Sequence, residues 1–248
     1  MLNKKFRNSY YFSIFKRYQK KQNVKIDHHI HTSWTDGKDT VNQMYNFYNS
    51  KKFETILFSE HSRKKSGNWF KKFCSEIYNL KIKECIPFIG TEVKILNLKG
   101  DLDISKKIEK DCDLIMASVH RFPGENFEGK KNIYNSSVKF DKKEIIDLEF
   151  TLSLNAIKNS NFDILGHPFG MSIKRFNLKP NKKLFIELIK TAKKNNKIFE
   201  INFNYHKSIK DFLIDSCLEK KCLFSIGSNS HSVNNSKTFY NIVKREKN

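Results

Sequence analysis

Seven times along this chain a short apolar run gives way to polar residues, and between successive runs the apolar spacing turns helical. The runs are "VKIDHHI", "TILFSEH", "IPFIGTE", "DLIMASVH", "FDILGHP", "KIFEINF" and "LFSIGSN". Continuous apolar stretches of this length, bounded by polar residues, predict strands buried on both faces. Helical patterns are expected over 41–50, 69–82, 142–158, 182–195, 209–220 and 233–244, with Pro180 and Asn181 marking one start. "VKILNLKGDLDI" predicts a hairpin turning near Gly100 and Asp101, followed by a shorter helix at 105–110. Strands alternating with helices restrict the fold to a parallel barrel or a doubly wound sheet. A barrel gathers its site from the C-terminal ends of all its strands, whereas an open sheet concentrates it at one switch point.

The strand ends are therefore the places to search. The first run ends in His29 and His31, with Asp36 just beyond; the second ends in Glu60 and His61, the third in Glu92, the fourth in His120. The fifth gives His167, and the seventh gives Asn229 and His231. On a strand, residues two apart share a face, so Asp27, His29 and His31 are expected to project together, with Ile26, His28 and Ile30 opposite. His28 is accordingly expected to be structural. Six of the eight histidines lie at strand ends, and that recurrence in successive units argues for a shared metal site over scattered structural histidines. Imidazoles mixed with carboxylates suit Mn, Fe(II) or Zn and leave positions open for water and phosphate. No P-loop or dinucleotide fingerprint is present.

At 248 residues the chain is long enough for one large α/β domain or two small ones, and 22 phenylalanines supply a sizeable core. No apolar run approaches the roughly 18 to 20 residues of a membrane span. Five cysteines without a CxxC pair predict reduced thiols and a cytoplasmic protein. The formal charge of +21 would suit nucleic acid, but the lysines are dispersed along the chain. The charge still favours anionic, phosphorylated substrates. Residues 1–23 are basic and aromatic without the features of a signal peptide. They are expected to form an amphipathic lead-in that packs Tyr11, Phe12 and Phe15 on a domain covering 24–248.

"DHHIHTSWTDG", "SEH", "GTE", "SVH", "GHP" and "GSNSH", in that order and spacing, resemble the motifs of the PHP (polymerase and histidinol phosphatase) superfamily over nearly the whole chain from Val24. "SVH…GHP…EIN" is also similar to the histidinol-phosphate phosphatase branch, and "HTSWTDG" to the broader group of small PHP phosphoesterases. The resemblance implies a distorted seven-stranded (β/α) TIM-like barrel carrying two or three divalent ions, Mn, Fe or Zn. By motif, His29 and His31 would hold a first ion, with Glu92 bridging to a second completed by His120 and His167. Asp36, His61 and His231 would hold the third. Asn229 stands where most members have an aspartate that ligates the first ion. Catalysis is expected to depend on Asp36, Glu92, His120 and His231.

The implied activity is hydrolysis of a small phosphomonoester by metal-activated hydroxide. An alternative is a nuclease or nucleotidase acting on nucleic-acid ends. A third reading, from a different class, is a PHP domain whose catalysis is reduced or lost through Asn229. Arg63 and Arg121 lie just after ligand histidines and are expected to clamp substrate phosphate. Arg175 and His206 are similar substrate-binding expectations, and Glu60 is expected to hydrogen-bond a ligand or contact a lid.

Overall fold

A computed structural model describes residues 25–122 and 141–245, together with Ser13, Lys16 and Arg17. Seven parallel strands are hydrogen-bonded in chain order: β1 (Ile26–Ile30), β2 (Thr55–Ser62), β3 (Ile86–Lys94), β4 (Leu114–Ser118), β5 (Ile164–Leu165), β6 (Ile198–Asn202) and β7 (Phe224–Gly227). The last strand returns to the first, where His31 donates from its backbone N–H to the Ser230 carbonyl at 2.9 Å and Ser230 donates to the His29 carbonyl at 3.3 Å. The sheet thus bends into a nearly closed (β/α) barrel. The seam is held by these few bonds and by the Ile30–Ser230 bridge.

Helices cover the outside: α1 (Val41–Ser50), α2 (Trp69–Tyr78), α3 (Lys106–Asp111), α4 (Lys142–Asn159), α5 (Lys182–Lys194), α6 (Lys210–Glu219) and α7 (Val233–Arg245), with a short π-helical turn over Met171–Arg175. Their starts follow local chemistry. Thr40 and Gln43 form a capping box on α1, and Asp141 and Glu144 form another on α4. Asn181 caps α5 through the Lys183 N–H. The larger apolar core lies between strands and helices, while Leu57, Phe88, Leu114, Met116, Ile164 and Ile198 fill the barrel floor. No described helix is long and apolar enough to cross a membrane.

Two expectations meet tertiary corrections. The second helix stops at Tyr78, short of the expected 82, because α1 captures the chain that follows. The Tyr45 hydroxyl accepts from Lys83 N–H at 2.9 Å, and the Asn49 side-chain oxygen accepts from the N–H groups of Glu84 and Cys85. The fifth strand keeps only two residues because the chain leaves the extended region at His167, whose φ is 23°. The hairpin after β3 does form, with an antiparallel Ile95–Leu102 bridge and Gly100 at φ 89°. The expected packing of Tyr11, Phe12 and Phe15 falls outside the described residues, although Arg17 pairs with Glu54 at 3.1 Å.

Candidate metal centre

Strand alternation carries the floor residues up to the site. Phe88 lies in the floor of β3, so Glu92 and Lys94, four and six positions on, face the same way. Leu57 leads to His61 on β2, Met116 to Ser118 and His120 after β4, and Ile198 to Glu200 and Asn202 on β6. Two strands break the alternation. On β1 the register with β2 shifts between Asp27 and Ile30, so three steps on β1 match two on β2. On β5 the Gly166 position is filled by its neighbours, since a Cβ there would lie 2.0 Å from the Ser118 Oγ, and the following His167 turns its ring inward.

The β1 bulge overturns the simple two-residue periodicity. Asp27 does not share the site with His29 and His31. Its carboxylate instead accepts from the Tyr48 hydroxyl of α1 at 2.5 Å and from the Ser228 N–H at 2.9 Å, tying the seam to the helical layer. His28, expected on the opposite face, reaches Thr55 Oγ1 at 2.9 Å, and Thr55 lies two residues before the floor residue Leu57. Burial pushes the His28 imidazole down to about 3, so it remains neutral.

Glu92 is the hub, with its side chain only 1% exposed. Its Oε1 lies 2.9 Å from both His120 Nε2 and His167 Nε2. Its Oε2 lies 3.3 Å from His29 Nε2, 3.5 Å from His31 Nε2 and 3.3 Å from His61 Nδ1. Around the half-exposed Asp36, His61 Nε2 and His231 Nε2 approach to 3.4 and 3.3 Å, and His31 Nδ1 to 3.7 Å. The donor atoms fall into three groups: His29, Glu92 and His167; His61, Glu92 and His120; and His31, Asp36, His61 and His231. His29 Nε2 and His31 Nε2, which the resemblance pairs on one ion, lie 3.1 Å apart, each beside Glu92 Oε2.

The electrostatics follow from burial set against partners. Burial alone would raise the Glu92 carboxyl, but His120 and His29 hold it well below the carboxylate range. Burial disfavours a charged His29, yet Glu200 and Glu92 raise its pKa well above the ordinary value. His31 goes the other way, because burial and the neighbouring His29 and His61 favour the neutral ring. Burial likewise lowers His120. Burial would raise Asp36, but hydrogen bonds from His231 and His61 bring it far below its usual value.

The donor set fits divalent cations. His29 Nε2 and His31 Nε2 face each other at 3.1 Å, and the His31 ring lies 4.4 Å from that of His231 and 4.5 Å from that of His61. Ring nitrogens converging on two carboxylates present more acceptors than protons, the arrangement that a cation satisfies. The Asn229 Oδ1 is buried and has no hydrogen-bond partner among the described residues.

Behind the donors stand residues of less obvious origin. Glu200 accepts from His29 Nδ1 at 2.8 Å and from the His167 backbone N–H, and it also accepts from Asn202 Nδ2 at 3.0 Å. It fixes which nitrogen of His29 faces the centre. Reading the strand ends missed it; the legible trace was a carboxylate between Phe199 and Ile201 in a wholly buried strand. Glu60 accepts from Thr32 N–H at 2.7 Å, from its hydroxyl at 2.6 Å and from the Thr35 hydroxyl. It thereby shapes the loop that carries Asp36, and burial pushes its carboxyl up to about 7. Tyr205 stacks on His167 with centroids 4.8 Å apart, and burial raises its phenol to about 12. No sequence motif pointed to Tyr205.

Among the substrate-binding expectations, His206 is corrected. Its ring is fully buried, accepting at Nδ1 from the Asn202 N–H at 3.1 Å and donating from Nε2 to the Pro168 carbonyl at 2.8 Å. Both nitrogens serve the fold, and burial lowers its pKa to about 4. Arg63 and Arg121 are exposed just beyond His61 and His120, close enough to Lys94 for both to disfavour its charge after burial. Arg175 is exposed at the end of the π-helical turn.

Comparison with known proteins agrees with this fold. Residues 27–204 match the PHP domain. A Thermoanaerobacter sp. (strain X514) protein named "Probable phosphatase" is 25% identical over 216 residues, 83% of this chain and 78% of that protein. The DNA polymerase/3'-5' exonuclease PolX of Bacillus subtilis (strain 168) is 23% identical over 195 residues, which is 73% of this chain and 29% of PolX. Among solved structures, histidinol phosphate phosphatase from Lactococcus lactis, complexed with zinc, L-histidinol and phosphate, superimposes with a TM-score of 0.57 at 17% identity. That match covers 88% of this chain and 93% of that one.

Proposed function

The chain belongs to the PHP domain family, and from that premise we propose that it is a metal-dependent phosphoesterase hydrolysing a small phosphomonoester. The observation that carries the reading is Glu92, a buried carboxylate ringed by His29, His31, His61, His120 and His167. Two or three Mn, Fe or Zn ions would be held by the nine residues His29, His31, Asp36, His61, Glu92, His120, His167, Asn229 and His231. Such ions supply a water-derived nucleophile at neutral pH and neutralise phosphoryl charge. The protein's own part is positioning. Glu92 spans two donor groups, Glu200 holds His29 by its far nitrogen, and Glu60 braces the loop bearing Asp36. Arg63, Arg121 and Arg175, exposed in the segments that follow β2, β4 and β5, would serve as cations for the substrate's phosphate oxygens. The names of the Thermoanaerobacter protein and of the Lactococcus enzyme support a small phosphorylated substrate.

The test is hydrolysis of a panel of phosphorylated metabolites, histidinol phosphate included, by Mn(II)-loaded protein with and without chelator. Release of phosphate that chelator abolishes is the expected result, and His120→Ala should lose most activity while keeping its fold. Unchanged turnover in that variant would refute the assignment. The partial match to PolX favours a second reading, cleavage at nucleic-acid ends. Preference for a short oligonucleotide over every monoester in the same panel would select it.

A further inference from the structure

An amide at a metal site has a directional problem that a carboxylate lacks. Only its oxygen can meet a cation; the NH2 end is a donor and repels one. The two ends are nearly equal in size, so packing alone does not choose between them. Something must hold the NH2 end away.

Asn229 is held in this way. It follows β7 at φ 53°, a left-handed conformation that asparagine tolerates, and the next residue, Ser230, bonds across the seam to β1. Its Nδ2 donates to the Tyr205 hydroxyl at 3.3 Å. The Oδ1 is left buried without a hydrogen-bond partner among the described residues, a costly state for an acceptor unless a ligand completes it. Tyr205 is itself fixed by stacking on His167, at 4.8 Å and an interplanar angle of 24°, and the His167 ring reaches Glu92. The pair therefore connects the β7 end to the group formed by His29, Glu92 and His167.

We infer that Tyr205 is a positioning residue that aims the Asn229 side-chain oxygen at the metal centre, making the amide a working ligand. This rests on the metal-centre reading above, and it concerns a residue that motif matching does not reach. The hydroxyl accepts from Nδ2, so the NH2 end keeps a partner while Oδ1 is turned toward the ions; a rotated amide would accept from the same hydroxyl but present its NH2 group to the ions.

The test is Mn(II) titration calorimetry of chelator-stripped protein in four forms: wild type, Tyr205→Phe, Asn229→Asp and the double variant. Tyr205→Phe keeps the ring and its stack on His167, so the stripped protein is expected to melt as the wild type does. In the asparagine background, loss of one hydrogen bond should weaken one class of Mn(II) site about fivefold. In the Asn229→Asp background the same change should produce no loss, because either carboxylate oxygen can ligate. No change on Tyr205→Phe in an otherwise Mn-binding protein overturns the inference alone. Equal losses in both backgrounds also overturn it, by assigning the effect to ring packing. A wild type that binds no Mn(II) overturns the metal-centre reading and this inference with it.

Discussion

Replacing Gly227 with alanine should loosen the barrel at its seam. A Cβ at this position would lie 2.0 Å from Glu200 Oε1 and 2.7 Å from His29 Cβ. Glu200 cannot swing aside cheaply, because it is fully buried and bonded to His29, His167 and Asn202. The His29 Cβ cannot move without β1, which meets β7 only through a few seam bonds. Overpacking of this kind costs about 1–3 kcal/mol, and losing the charged bond between Glu200 and His29 adds about 1.5–3 kcal/mol. Together they predict a loss of about 2.5–6 kcal/mol, which for a chain of this size lowers the melting temperature by about 5–20 °C. Urea unfolding should show a lower midpoint at an unchanged slope. Gly67→Ala serves as the control, since a Cβ there meets nothing within 4 Å. If Gly227→Ala keeps the wild-type midpoint, Glu200 is not wedged between β7 and His29 and the account of the seam fails.

Three further outcomes follow from buried groups. Burial outweighs the bonds that Glu149 accepts from Ser172 and Met171 and pushes its carboxyl from 4.5 up to about 7. The folded state then holds a proton that the unfolded state has released, so stability should fall as pH rises from about 4.5 to about 7, by at most about 3 kcal/mol. Glu149→Gln should flatten that part of the urea midpoint–pH curve, and an identical curve would count against the assignment. Cys74, Cys85, Cys112, Cys217 and Cys222 are all buried, so a chromogenic disulfide reagent should find no thiol within minutes in native protein and five in urea. Glu200→Gln leaves either His29 Nδ1 or the His167 N–H without its acceptor, which should cost about 1–3 kcal/mol. Wild-type stability in chelator-stripped Glu200→Gln would refute that pairing.

The sequence by itself determined the alternation of seven strands with helices and the clustering of His29, His31, His61, Glu92, His120, His167 and His231 at strand ends. Both follow from local rules. Buried parallel strands must be apolar along their length, and a barrel's chemistry collects where those runs stop. Helix starts at Thr40, Asp141 and Asn181 were legible because capping is settled within one turn. Tertiary structure alone decided the rest. The bulge in β1 depends on pairing with β2, so no count along one strand could show that Asp27 turns toward Tyr48. The end of α2 depends on Tyr45 and Asn49, which hold Lys83, Glu84 and Cys85 more than 30 positions further on. His206 follows the end of a strand as the donor histidines do, and only its fit between Asn202 and Pro168 reveals a structural role. Glu200 finds His29 across 171 positions. A residue's type and spacing fix what it can offer, but which partner takes the offer depends on neighbours that only closure of the barrel brings together.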